Sequence, residues 1–183
     1  MINHKEASAA MSEIDDIVSR VRQSRIYDIA SQIVIMWGVL VFAANIATYN
    51  WPSLGDYFWL AVDVVAVAGS FAIGVSNGAR SGIRRFNGRM LVAFLLFLAF
   101  GLFCCKVLGH FTPRQVDAFW PIYSMLFYSI AGLWFGHAFV AIGLGITVLT
   151  LIGYFYIGEA FPLWMAVVNG GGLILGGLWM RRS

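Results

Sequence analysis

Six apolar stretches of about twenty residues, separated by short polar turns, constrain this chain more than anything else in it. They run over 29–49, 56–77, 90–110, 118–136, 138–157 and 161–180. A helix of ~20 apolar residues is what crosses ~30 Å of hydrocarbon, so each stretch is long enough to span a membrane. Composition agrees: 11% of the residues are charged, against about 25% in soluble domains. The expected fold is therefore all-α, an integral membrane bundle of six transmembrane helices over 29–180. A cytoplasmic segment (1–28) precedes it and a short tail (181–183) follows. No small-residue cleavage site follows a short apolar run, so no removable leader is expected.

The first segment carries its own helical signal. Ser12 with Asp15 resembles a capping start, and Glu13, Asp15 and Asp16 lie where the helix dipole favours acid. Ile14, Ile17, Val18 and Val21 recur at helical spacing, and Arg20, Arg22 and Arg25 come later. This predicts a separate amphipathic helix over about 12–27. It would either lie on the lipid headgroups or dock a cytoplasmic protein partner.

Ten of the 12 Lys and Arg residues lie in the N-terminal segment, the 78–89 loop and the C-terminal tail. Arg114 and Lys106 fall on the other side. The positive-inside bias then places both termini in the cytoplasm. Arg80, Arg84, Arg85 and Arg89 are expected to meet anionic lipid headgroups. They lack the interleaved aromatics of a nucleic-acid surface, so no nucleic-acid partner is expected.

Asp56, Asp63, Ser70 and Asn77 follow one another at seven-residue intervals in the second stretch. They share a helix face, which must look towards protein or water. Asp63 lies well inside the apolar run, with Lys106 as its expected partner. Lys106 in turn shares a face with His110 four residues on. Asn45, Ser124 and Asn169 fall at comparable depths on other helices. These six residues, Asp63, Lys106, Asn169, Asn45, Ser124 and His110, make up a candidate intramembrane polar site, either functional or a network that pins helix order.

Other features read as structural. The pairs Gly74/Gly78, Gly132/Gly136 and Gly172/Gly176 permit close helix approach and self-association into a homo-oligomer. Gly170–Gly172 beside Asn169 weaken the last helix locally, the feature that unwound binding segments use. Adjacent Cys104 and Cys105 diverge around the helix and pack as small residues. His4, His110 and His137 lie too far apart to hold a haem. No catalytic, cofactor-binding or metal motif is present, and Asp56, Arg114, Asp117 and Glu159 read as solvated loop charges. The six stretches pair as three hairpins; sliding the second onto the sixth sets Asp63 over Asn169, a match that apolar composition alone explains better than a threefold repeat.

The segments SEIDDIVSRVRQSR, IVIMWGVLVF and LILGGLWMRR resemble those of a group of small bacterial inner-membrane proteins with no assigned function. The resemblance covers the two ends of the chain and implies a bacterial inner membrane. Three roles are then open. One is a non-catalytic accessory or regulatory protein that binds a partner. Another is a small transporter or channel built around Asp63. The third is an enzyme acting on lipid or quinone.

Overall fold

The computed structural model describes residues 4–80 and 88–182, and every regular element in them is helical. Helix α1 (His4–Asn50) leads through a one-turn 3-10 segment (Pro52–Leu54) into α2 (Gly55–Arg80). Helix α3 (Gly88–Phe103) ends in a π-turn, Cys104–Leu108. Helices α4 (Pro113–Phe135) and α5 (His137–Tyr156) follow as a hairpin. The last stretch is composite: α6 (Phe161–Met165), a second π-turn (Ala166–Gly171) and α7 (Gly172–Arg182).

Five segments are long and apolar enough to cross a membrane: Ile26–Asn50, Pro52–Asn77, Pro113–Phe135, His137–Tyr156 and Phe161–Arg182. The predicted third span is helical too, but its apolar described part, Val92–Leu108, is shorter.

The separate N-terminal helix over 12–27 is not a separate element. Helix α1 runs unbroken for 47 residues from His4 into the first span. The reason is local: residues 20–33 contain no glycine or proline, and sharp kinks arise almost only at such breakers, π-bulges or inserted groups. Hydropathy changes at Ile26 while helix propensity does not. At about 1.5 Å per residue the part before Ile26 forms a rod of about 33 Å.

The last stretch is the centre of the packing, and its glycines explain why. A Cβ on Gly177 would lie 2.6 Å from Ile35 and 3.0 Å from the Ser31 carbonyl of α1. One on Gly170 would lie 2.6 Å from the Phe42 Cα. On the opposite flank, Gly172 faces Ile146 and Gly176 faces Ile142 of α5, at 3.1 and 2.6 Å from the same imagined atom. The stretch is thus wedged between α1, in backbone-close contact as small residues allow in lipid, and α5, whose Ile142 and Ile146 side chains seat on its glycines.

Outward from this wedge, α2 packs on α1 and α4 packs on α5. Ring contacts of Phe97 with Trp120, Tyr123 and Phe127 hold α3 against α4. All these neighbours run antiparallel. We call the end at Asn50, Pro113, Tyr156 and Phe161 the far end, and the end at Ile26 and Arg182 the near end.

Two glycine expectations change. Gly136 provides the hairpin between α4 and α5 by its backbone, with φ 127°, a conformation L side chains rarely adopt. Gly74 faces open space rather than a neighbouring helix. The surroundings of Gly78 lie outside the described residues.

Candidate functional site

The polar stripe of α2 is distributed unevenly. Asp56 is exposed at the far end, and Asp63 is half-buried. Ser70 is the working member: its hydroxyl donates to the Ala66 carbonyl at 2.7 Å and accepts the Trp37 indole N–H at 3.1 Å. Asn77 donates to the Ile73 carbonyl at 3.0 Å. Ser70 thereby joins the stripe to α1.

Contacts between neighbouring helices give the depth of each candidate. Met36 lies against Gly69 and Thr48 against Gly55, which puts Asp63 alongside residues 41–44 of α1, next to Asn45. Phe42 lies against Gly170, so Asn45 and Asn169 are also near one level. Gly132 meets Val140, and Gly143 meets Met125 and Ser129. Ser124 is then opposite Thr147 at a similar depth. Asp63, Asn45, Asn169 and Ser124 form a row across several helices. No hydrogen bond or ion pair joins any two of the six candidate residues.

Within the row the hydroxyl and amide groups mostly bond to their own helix. Asn45 Nδ2 donates to the Val41 carbonyl at 2.9 Å, and Ser124 Oγ to the Trp120 carbonyl at 2.8 Å. Asn169 is the exception. It is 6% exposed and sits inside the second π-turn, and its Oδ1 is buried without a hydrogen-bond partner. Thr150 of α5, absent from the sequence-derived set, behaves alike: it is 0% exposed and its Oγ1 is also unpartnered.

Lys106 and His110 stand apart from the row. Phe97 against Tyr123 and Gly101 against Trp120 put Lys106 close to the first turn of α4, where it is exposed. It forms no ion pair with Asp63. The shared face of Lys106 and His110 is also lost. The π-turn changes the spacing around the helix, and His110 lies past it with φ 44°. Cys105 is buried and Cys104 half-buried, both as free thiols.

Arg114 is placed differently from the solvated charge expected. Its guanidinium donates to the carbonyls of Tyr154, Ile157 and Gly158 and lies over the Tyr154 and Phe161 rings. The Tyr154 and Ile157 carbonyls lie at the C-terminus of α5, where carbonyls lack intrahelical partners, while the Gly158 carbonyl also accepts from the Phe161 N–H. A cation at a helix C-terminus also complements the dipole. The opposite end of the same hairpin needs no such clamp, because Gly136 turns it tightly.

At the near end an open pocket of about 230 Å³ separates the root of the α1 rod from α7, lined by Ser24, Tyr27, Asp28, Met180 and Arg181. Arg84 and Arg85, half of the expected lipid-contacting set, lie outside the described residues. Arg80 and Arg89 sit on the helix ends that flank them. Among the described residues no group of three or more His, Cys, Asp or Glu could hold a metal ion. Comparison with protein-family models, curated proteins and solved structures returns no match for this chain.

Proposed function

We propose that this chain is a non-catalytic membrane protein with an accessory or regulatory role, and that it binds a cytoplasmic protein through the α1 rod. The observation that carries the reading is the exposure of Met11, Ile14, Ile17 and Val21 on an unbroken helix outside the apolar spans. Ile14 and Val21 are 59% and 63% exposed. In lipid such exposure needs no explanation; in water, apolar residues on one helix face suit a partner helix. The headgroup-lying alternative requires a sharp bend between the rod and the first span, and that segment has no breaker residue.

Charge order defines the partner's chemistry. Glu13, Asp15 and Asp16 precede Arg20, Arg22 and Arg25. The complementary surface is a helix with its own apolar seam, basic opposite the first group and acidic opposite the second. The open pocket at the rod's root has room for a single side chain of such a helix.

The reading includes six crossings, with both termini cytoplasmic in a bacterial inner membrane. Gly88–Leu108 is 21 residues of continuous helix and turn, about 31 Å at the usual rise and enough for the hydrocarbon layer. The basic residues flanking the near end and the resemblance of both chain ends support this placement.

The test pairs two variants. Ile14→Asp with Val21→Asp should abolish association with the partner while the bundle still assembles in the membrane. Asp63→Asn should leave association intact. Loss of association with Asp63→Asn alone would instead favour an intramembrane site.

A further inference from the structure

Two packing ladders converge on one level of the last stretch. On the α1 side, Ser31 and Ile35 meet Gly177, and Gly38 and Phe42 meet Gly170. The next position on that face, at the same alternating spacing of four and three, is Asn45. On the α5 side, Ile142 meets Gly176 and Ile146 meets Gly172, while Gly153 meets Phe161 and Trp164. The rung between them is Thr150, opposite Val168 and Asn169.

All three residues are buried: Asn45 7%, Thr150 0% and Asn169 6% exposed. Thr150 Oγ1 and Asn169 Oδ1 meet no hydrogen-bonding group of the protein. Asn45, on the α1 flank, gives its Nδ2 to the Val41 carbonyl, and its Oδ1 is not one of the buried unpaired atoms. Thr147, one helical turn from Thr150, follows the usual pattern and donates to the Gly143 carbonyl at 2.7 Å. A buried polar atom away from water requires a partner, and here two unpaired atoms face the same helical interface. The π-turn at Ala166–Gly171 inserts an extra residue at this level and widens the helix, as π-bulges at ligand sites do.

We infer that Thr150 and Asn169 frame an internal polar site at the π-turn that takes one small uncharged hydrogen-bonding molecule of the size of water. The guest accepts from or donates to the Thr150 hydroxyl and donates to the Asn169 amide oxygen, within the two to four contacts that buried waters make. Charge argues against a cation. The carboxylate nearest in depth, Asp63, lies on α2 across α1, so a bare ion would sit in hydrocarbon without a counter-charge.

Apparent melting temperatures of the full chain in detergent micelles test this. Thr150→Val keeps the side-chain shape and removes the hydroxyl; Thr150→Ser keeps the hydroxyl and removes a methyl. With a bound guest, Thr150→Val and Asn169→Leu each lower the melting temperature by about 3 °C or more. Thr150→Ser should be lowered less than Thr150→Val. A melting temperature unchanged or raised in Thr150→Val and Asn169→Leu overturns the inference, because removal of a dry, unpaired polar atom is neutral or stabilising. Should Asn169→Leu fail to assemble, the Val-to-Ser comparison at Thr150 decides alone. A rise in sodium chloride over choline chloride at equal ionic strength, lost in Thr150→Val, overturns the uncharged guest in favour of a cation.

Discussion

The Arg114 guanidinium donates to the Tyr154 carbonyl at 2.6 Å, tying the first turn of α4 to the last turn of α5 across forty positions of sequence. With Ile157 and Gly158 accepting from the same group, one side chain satisfies most of a helix terminus. Replacement by leucine removes the charge and leaves those carbonyls to solvent. We expect Arg114→Leu to cost about 1–3 kcal/mol and Arg114→Lys to be intermediate, since an ammonium cannot reach three acceptors in one plane. Thermal unfolding of the two variants checks this.

Gly170 and Gly74 make a contrasting pair. A Cβ at Gly170 lies 2.6 Å from the Phe42 Cα, a backbone atom that cannot rotate away, whereas Gly74 has nothing within 4 Å. Gly170→Ala should destabilise by about 1–3 kcal/mol through forced separation of α1 from the last stretch. Gly74→Ala should be neutral, or stabilising by up to about 1 kcal/mol, because it restrains the unfolded chain at no packing cost. Melting temperatures measured side by side separate the two.

Ser70→Ala leaves the Trp37 indole N–H without its 3.1 Å acceptor. The expected loss is about 1 kcal/mol. Trp37→Phe in the Ser70→Ala background should cost less than Trp37→Phe alone, because the shared bond is already gone. A double-mutant cycle measures the coupling.

The spans were legible because twenty-residue apolar runs have few alternatives, and five of them match the predicted ranges to within about five residues. The merged first helix was not. Hydropathy marks where lipid begins, but only a breaker marks where a helix ends, and none lies between Arg20 and Ile33. The polar row was half legible. Asp63, Asn45, Asn169 and Ser124 lie at comparable depth as their positions suggest, while Lys106 stands nearer the first turn of α4 and loses its shared face with His110 to a π-turn that periodicity cannot signal. Thr150 gave no warning, since hydroxyls in apolar helices usually bond their own preceding turn. Arg114 could not be read because its acceptors are distant in sequence.

A photo-reactive residue placed along the α1 rod in living cells tests the proposed role most directly. Probes at Ile14, Ile17 and Val21 should cross-link to one cytoplasmic protein in a shared, saturable band. Probes at Ser12 and Gln23, half a turn away on the helix, should not. The band should vanish with Ile14→Asp and survive Asp63→Asn. Cross-links from Ile14, Ile17 and Val21 to lipid alone, or equal labelling around the whole helix, would contradict a partner-binding rod.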